Sequence, residues 1–229
     1  MEKEVTVTAI IQETADTKTF KLGIGGEELN YQPGQFIIIS TTLEGKPINR
    51  SYSISNAPIH DSIDITIKAE PNGFFSVYAN DHIKKGDKFL IKGPFGKFTF
   101  KEETNDLLLI AAGSGIAPMK AIIEYIMSKE LENPVTLLFS NKTTQDIIFK
   151  ETFEHYEKKY EHFTFVPFIT RETTTYGVQG HIDKEHLQPH ITPNTLCYIC
   201  GPPTMVDAIK IALNELGVPE QRIKVEKFG

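Results

Sequence analysis

The chain changes rhythm near residue 103, and that change limits its fold more than any other feature. Before it, VTVTAII, TKTFKL, QFIIIST, RSYSIS, SIDITIKA and DKFLIKG are short and rich in β-branched and aromatic residues, with turn signals such as GIGGEELN, YQPGQ and KKG between them. This pattern predicts six strands and one short helix over FFSVYANDHI, hence a small antiparallel β-barrel or sandwich. After it, the apolar runs DLLLIAAG, VTLLFS, FTFVPFIT and TLCYICG alternate with helical stretches, and RIKVEKF closes the series. Strands that are apolar throughout need cover on both faces, which predicts a parallel sheet flanked by helices. In the last helical stretch Val206, Ile209, Leu213 and Leu216 fall on one stripe, and Gly217 is placed to stop it. A length of 229 residues suits two domains, one over 1–102 and one over 103–229, with EETND (102–106) as hinge.

Composition narrows the function. A net charge of −6 disfavours nucleic acid as a partner, because phosphate binding needs a basic footprint. One window runs against the rest: six lysines and a single aspartate give residues 84–101 a local charge of +5. No apolar run approaches the roughly 20 residues that span a bilayer, so membrane insertion is not expected. The start MEKEVTVTAI lacks a basic segment followed by an apolar one, and two cysteines do not make a secreted disulfide scaffold. The expectation is a soluble, cytoplasmic protein.

Three stretches carry the chemistry. In AAGSGIAPMK an apolar strand ends at Ala112, Gly113 and Gly115 allow a tight turn, and Pro118 suits a helix's first turn. Backbone N–H groups at such a start face an anion such as a pyrophosphate, although the dinucleotide fingerprint would want a glycine where Pro118 stands. CYICGPPTMV repeats the arrangement at Gly201, Pro202 and Pro203. Its Cys197 and Cys200 are three residues apart in a strand, roughly 10 Å along it and on opposite faces, too far for a disulfide. No further zinc ligands are placed beside them, so no metal site is expected. Cys197 reads as core, and Cys200 stands at the strand's carboxyl end.

The third stretch is NRSYSIS, where Arg50 and Tyr52 share one strand face and Ser51 and Ser53 the other. A cation in a strand that leads into a core calls for an anion. Downstream, Gly73, Phe74, Phe75 and Ser76 mark a helix start, with Ser76 a good capping residue. A guanidinium, a second helix start, a phenol ring and a hydroxyl together suit a planar heteroaromatic ring with a phosphate tail, as in a flavin nucleotide.

Together these residues resemble the ferredoxin–NADP reductase superfamily over nearly the whole chain. Arg50–Ser53 matches its Arg-x-Tyr-Ser motif and Gly73–Ser76 its Gly-x-x-Ser motif. GPFGKF (93–98) matches its Gly-Pro-x-Gly segment, GSGIAP (113–118) its Gly-x-Gly-x-x-Pro motif and CGPP (200–203) its Cys-Gly-Pro motif. EKFG at the C-terminus is similar to members with a glutamate and a terminal aromatic beside the flavin.

The resemblance implies an FAD-binding β-barrel followed by an NAD(P)H-binding α/β domain. It gives Arg50 the flavin pyrophosphate, Tyr52 the ring and ribityl chain, and Ser53 the reactive edge of the flavin. Glu226 and Phe228 would approach from the C-terminus, and Cys200 the nicotinamide. Arg171, in FITRE, would stand where NADP-using members hold the 2′-phosphate, with Lys142 the only other cation nearby in motif order. The implied enzyme passes hydride from NAD(P)H to bound FAD, then electrons to a separate carrier such as ferredoxin or flavodoxin. With two cysteines it carries no plant-type iron–sulfur cluster. The lysine window would steer an acidic carrier. Two other readings are a reductase acting on free flavin and a non-catalytic nucleotide-binding subunit.

Overall fold

A computed structural model describes residues 2–26, 30–59, 61–103 and 105–228. The turn expected over 23–30 and the hinge over 102–106 each lie partly outside the described residues, at 27–29 and at Thr104. The chain divides into two units, Met1–Lys101 with Lys120–Tyr125, and Glu102–Met119 with Ile126–Gly229.

The first unit holds strands β1 (Glu2–Thr14), β2 (Thr17–Gly23), β3 (Phe36–Leu43), β4 (Lys46–Ser53), β5 (Ser62–Lys68) and β6 (Lys88–Phe95), with helix α1 (Phe74–His82) between β5 and β6. The sheet is antiparallel in the order β4-β3-β6-β1-β2-β5. An isolated bridge from Ile54 to Ile65 ties the residue after β4 to β5, so the two edges meet and the sheet closes as a barrel.

Alternating side chains fill that barrel. Val5, Phe20, Leu22, Ile37, Ile39, Ile63 and Ile65 are buried, and Phe75 and Ala79 of α1 join them. Each such large side chain contributes about 1.5–3 kcal/mol by leaving water. On the opposite face of β2 and β5, buried hydroxyls pair with one another: Thr19 and Thr66 meet at 2.8 Å, and Thr66 donates to Ser55 at 3.0 Å. β4 begins at Lys46, earlier than the residue pattern suggests. Leu43 pairs with Lys46 across a two-residue turn, Glu44 and Gly45, both at positive φ (50° and 73°), the backbone of a tight hairpin.

The second unit holds β7 (Leu107–Ala112), α2 (Ile116–Ser128), β8 (Val135–Asn141), α3 (Lys150–Lys159), β9 (Phe163–Ile169), β10 (Val178–Gln179), α4 (Lys184–Leu187), β11 (Leu196–Gly201), α5 (Pro203–Glu215) and β12 (Ile223–Lys227); the middle of α2 is counted with the first unit. All neighbouring strands are parallel, in the order β10-β9-β8-β7-β11-β12. Val206, Ile209 and Leu213 of α5 are buried as their spacing predicts, and Gly217 follows at φ 82°.

From β7 the chain steps through β8 and β9 on one side, then returns to place β11 on the other. The strand order therefore reverses between β7 and β11, and in open parallel sheets ligands lie outside the carboxyl ends at such a point. Among the described residues no helix is long and apolar enough to cross a membrane.

Candidate functional site

In the first unit the chemistry gathers on β4 and the start of α1. Burial deepens along β4: Arg50 is exposed, Tyr52 half-buried and Ser53 only 3% exposed. Arg50 donates to the carbonyl of Asn49 at 2.9 Å, and among the described residues no carboxylate is paired with it. The Tyr52 ring lies 6.0 Å from that of Phe75. Burial pushes its phenol well above the ordinary tyrosine range, against a smaller opposite pull from Arg50. The Ser53 hydroxyl is buried with no hydrogen-bond partner. Such an orphan costs about 1–3 kcal/mol.

Helix α1 starts on Gly73 without a side-chain cap. Ser76 is not that cap. It lies inside the first turn, where its hydroxyl accepts from the Glu70 N–H at 3.2 Å and donates to the Gly73 carbonyl at 3.4 Å. A Cβ on Gly73 would sit 2.3 Å from the Ser76 hydroxyl and 3.0 Å from the Glu70 carbonyl oxygen, so a side chain there would displace Ser76 from this turn. Phe75 turns into the core at 1% exposure, whereas Phe74 is 44% exposed. A free cation, an uncapped helix start, an aromatic ring and a partnerless buried hydroxyl thus share one end of the barrel. That donor set fits a flavin nucleotide: positive groups for phosphates, a flat surface, and a polar contact that is otherwise missing.

In the second unit, both glycine turns found in the sequence fall at the strand-order reversal. Gly113 has φ 53° and open space where a Cβ would stand. Gly113–Gly115 form one turn of 3₁₀ helix that runs straight into α2, with Pro118 in its first turn. A Cβ on Gly115 would lie 2.3 Å from the Cys200 carbonyl oxygen, and one on Gly201 2.8 Å from Met205 Cε. Helix α5 starts at Pro202 and Pro203, also without a side-chain cap. Two helix starts without a side-chain cap therefore flank the reversal of strand order, with glycines where the backbones pack closely, which fits a dinucleotide's phosphates. Gly115→Ala, forced against backbone rather than a flexible side chain, is expected to cost about 1–3 kcal/mol and to weaken NAD(P)H binding. Thermal unfolding and a nucleotide titration check this.

At that reversal Cys200 pairs in register with Glu226 of β12. Both cysteines are free thiols and fully buried, so Cys200 does not open to solvent as its place at the strand end suggests. Burial pushes the Cys197 thiol up to about 12, and burial together with the Glu226 charge lifts Cys200 well above the ordinary thiol range. Neither is a thiolate near neutrality. Glu226 Oε2 is buried with no hydrogen-bond partner, and burial raises its carboxyl to about 7. Phe228 follows two residues on, its N–H on the Gly201 carbonyl at 3.1 Å, and Lys227 between them pairs with Asp207 at 2.7 Å. Those two bonds fasten the chain's end to the rim of this site.

At the ends of β8 and β9, the Arg171 N–H bonds the Lys142 carbonyl at 2.8 Å, which brings the two exposed cations onto adjacent segments. Two residues here escaped sequence reasoning. Glu172 accepts from the Thr144 N–H at 2.7 Å, and Asn141 is 5% exposed with its Oδ1 unpartnered. A polar residue closing the apolar run VTLLFS was the available signal for Asn141. The lysine window is partly neutralised: Lys88 pairs with Glu4 at 2.7 Å and Lys92 with Glu2 at 3.8 Å, while Lys84, Lys85 and Lys97 are exposed.

Comparison with known proteins accords with this geometry. Residues 4–100 match the oxidoreductase FAD-binding domain, and residues 109–210 the oxidoreductase NAD-binding domain. One component of the 1,2-phenylacetyl-CoA epoxidase of Escherichia coli K12 is 32% identical over 98% of this chain and 67% of its own. The chain belongs to the ferredoxin–NADP reductase superfamily. A second superfamily relative, the ferredoxin reductase component of the 3-ketosteroid-9-alpha-monooxygenase of Rhodococcus rhodochrous, is 30% identical over 98% of this chain and 64% of its own. The FAD/NAD-binding domain of the nitric oxide dioxygenase of Vibrio cholerae superposes with a TM-score of 0.90, at 29% identity, over 99% of this chain and 98% of that one. The chain spans half to two-thirds of the length of the curated superfamily relatives it matches. Its two-unit fold, barrel first and parallel sheet second, is the fold of this superfamily.

Proposed function

We propose that this chain is an FAD-dependent NAD(P)H reductase that delivers electrons to a separate carrier protein, with residues 1–102 as the flavin domain and 103–229 as the nicotinamide domain. When bound, the flavin supplies the chemistry, accepting a hydride and releasing electrons singly. The observation that carries this is the Ser53 hydroxyl, buried without a partner on the same strand as the unpaired Arg50. A barrel that needed the Ser53 hydroxyl for no ligand would be more stable without it.

The chain's own residues then take the following roles. Arg50 and the N–H groups at the start of α1, from Gly73 onward, hold the flavin phosphates. Tyr52 gives the ring a flat surface, and Ser53 donates to or accepts from its edge. Gly113, Gly115, Pro118, Gly201 and Pro202 hold the backbone open for the nicotinamide dinucleotide. Arg171 beside Lys142 supports the acceptance of a 2′-phosphate. Glu226 keeps a proton on its carboxyl below neutrality, Cys200 stands beside it on β11, and Phe228 covers the rim. The exposed Lys84, Lys85 and Lys97 support docking of an acidic carrier such as ferredoxin or flavodoxin; the two lysines already paired on β6 contribute less.

Purification, identification of the bound flavin and separate titrations with NADH and NADPH test this reading. A yellow protein whose flavin is bleached by one or both supports it. A colourless protein that reduces added flavin would move it to the free-flavin class, and a protein inert with both nucleotides would leave a binding subunit. Cys200→Ser is expected to slow that bleaching more than it weakens flavin binding; unchanged stopped-flow traces would remove Cys200 from the site.

A further inference from the structure

The parallel sheet ends on two unlike edges. β10 is two residues long, and a strand that short blunts its edge. β12 is five residues long and pairs with β11 alone. The Phe228 N–H bonds the Gly201 carbonyl, so by the alternation of a strand Glu226 and Lys224 also turn their backbone groups to β11. Ile223, Val225 and Lys227 turn theirs outward. The Ile223 N–H is satisfied locally by the Glu220 carbonyl, which leaves the Ile223 carbonyl and both backbone groups of Val225 and Lys227 along the edge.

The lysines of β12 do not guard this edge, because each is held against a face of its own sheet. Lys224 donates to Glu103 at 3.0 Å and to the Tyr198 hydroxyl at 2.9 Å, and Lys227 donates to Asp207 of α5 at 2.7 Å. Val225 shares its face with Lys227 and is 39% exposed. Helix α5 joins two parallel strands and so runs against them. Ile211, one turn beyond Asp207, therefore comes level with Val225, and it is 60% exposed.

We propose that β12 is a self-association edge, at which a second copy of this chain pairs antiparallel about a twofold axis through Val225 and continues the sheet. The backbone sets the register. Val225 meets its counterpart and exchanges both bonds with it, and the Lys227 N–H of each copy reaches the Ile223 carbonyl of the other. Lys224 then stands opposite Glu226. Sliding one copy by two residues, the next register that keeps the bonds, sets Lys224 against Lys224 in one direction and Glu226 against Glu226 in the other. The edge is thus complementary to itself in one register, which favours a second copy over an unrelated strand. The axis is normal to the sheet, so both α5 helices stay on one face and Ile211 of each copy flanks the Val225 pair. The seam is short, and an interface under roughly 1,200 Å² is weak, so the dimer is reversible.

Sedimentation of the full chain over about 1–500 µM tests the pairing. Wild type is expected to pass from monomer to dimer with a Kd of about 1–100 µM. Val225→Pro removes an N–H that the ladder to β11 does not use, and Val225→Lys sets two ammonium groups together on the axis. Each is expected to raise Kd about 10-fold or more. Hydrogen–deuterium exchange at the two ends of the concentration range is expected to show the Val225 and Lys227 amides slowed at the higher one. Should Val225→Pro fail to fold, Val225→Lys, which leaves the backbone whole, decides. A wild-type chain that stays monomeric throughout, a dimer that Val225→Lys does not weaken, or edge amides that exchange alike at both concentrations would overturn the proposal.

Discussion

Arg50→Ala is expected to lower flavin affinity by roughly 10–150-fold, about 1.5–3 kcal/mol, with FAD and FMN affected alike. The guanidinium has no carboxylate partner among the described residues and contacts only the neighbouring Asn49 carbonyl, so its removal costs the unliganded fold little. Ligand binding bears the loss, because a phosphate brought against the barrel would keep only the N–H groups at the start of α1. FMN shares that phosphate, so the effect does not discriminate between flavins. Arg50→Lys should recover part of the affinity, since an ammonium restores the charge without the planar fork. Flavin fluorescence on dilution measures all three. Unchanged retention of flavin in Arg50→Ala would remove Arg50 from the site.

The second large effect is a pH dependence set by Glu226. Burial raises this carboxyl to about 7, whereas in the unfolded chain it titrates near 4.5. Between those values the folded protein holds a proton that the unfolded chain has released, so stability falls as pH rises through that window. Above it the buried charge is fully present, a penalty on the order of 3 kcal/mol. Glu226→Gln removes the titration: its stability should match wild type at pH 4 and exceed it at pH 8.5. Catalysis should move the opposite way. Wild-type turnover declines above about pH 7 as Glu226 loses its proton, and the glutamine variant is slow with no such decline. Urea unfolding at several pH values and a kcat–pH profile read the two together. A profile unchanged by Glu226→Gln would place the proton elsewhere.

The two-part fold was legible because side-chain period reports burial geometry directly. Ile63, Ile65 and Ile67 alternate in β5 as a barrel requires, and β7 is apolar throughout as a sheet covered on both faces requires. The glycine turns were legible for a related reason: Gly113 and Gly115 stand where a side chain would strain the backbone or strike another strand.

Short elements were less so. β10 and α4 lie in a polar stretch, and α4 exists because Asp183 accepts from the Glu185 and His186 N–H groups. The start of β4 was hidden because Glu44, a residue with no preference for positive φ, occupies half of the hairpin turn. At the site, residue identity was readable and environment was not. Ser76 looks like a cap by type, yet it closes the turn before the helix. Nothing in CYICG tells that Cys200 is fully buried, nor does EKF tell that one Glu226 oxygen is buried without a partner, because both follow from how β11 and β12 pack.

The most direct test of the central claim is an anaerobic titration of the flavin-loaded protein with NADH and with NADPH, followed by absorbance. Equimolar bleaching of tightly bound FAD by at least one of them is the predicted result; a protein that takes up no flavin, or whose bound flavin stays oxidised under both nucleotides, would contradict it.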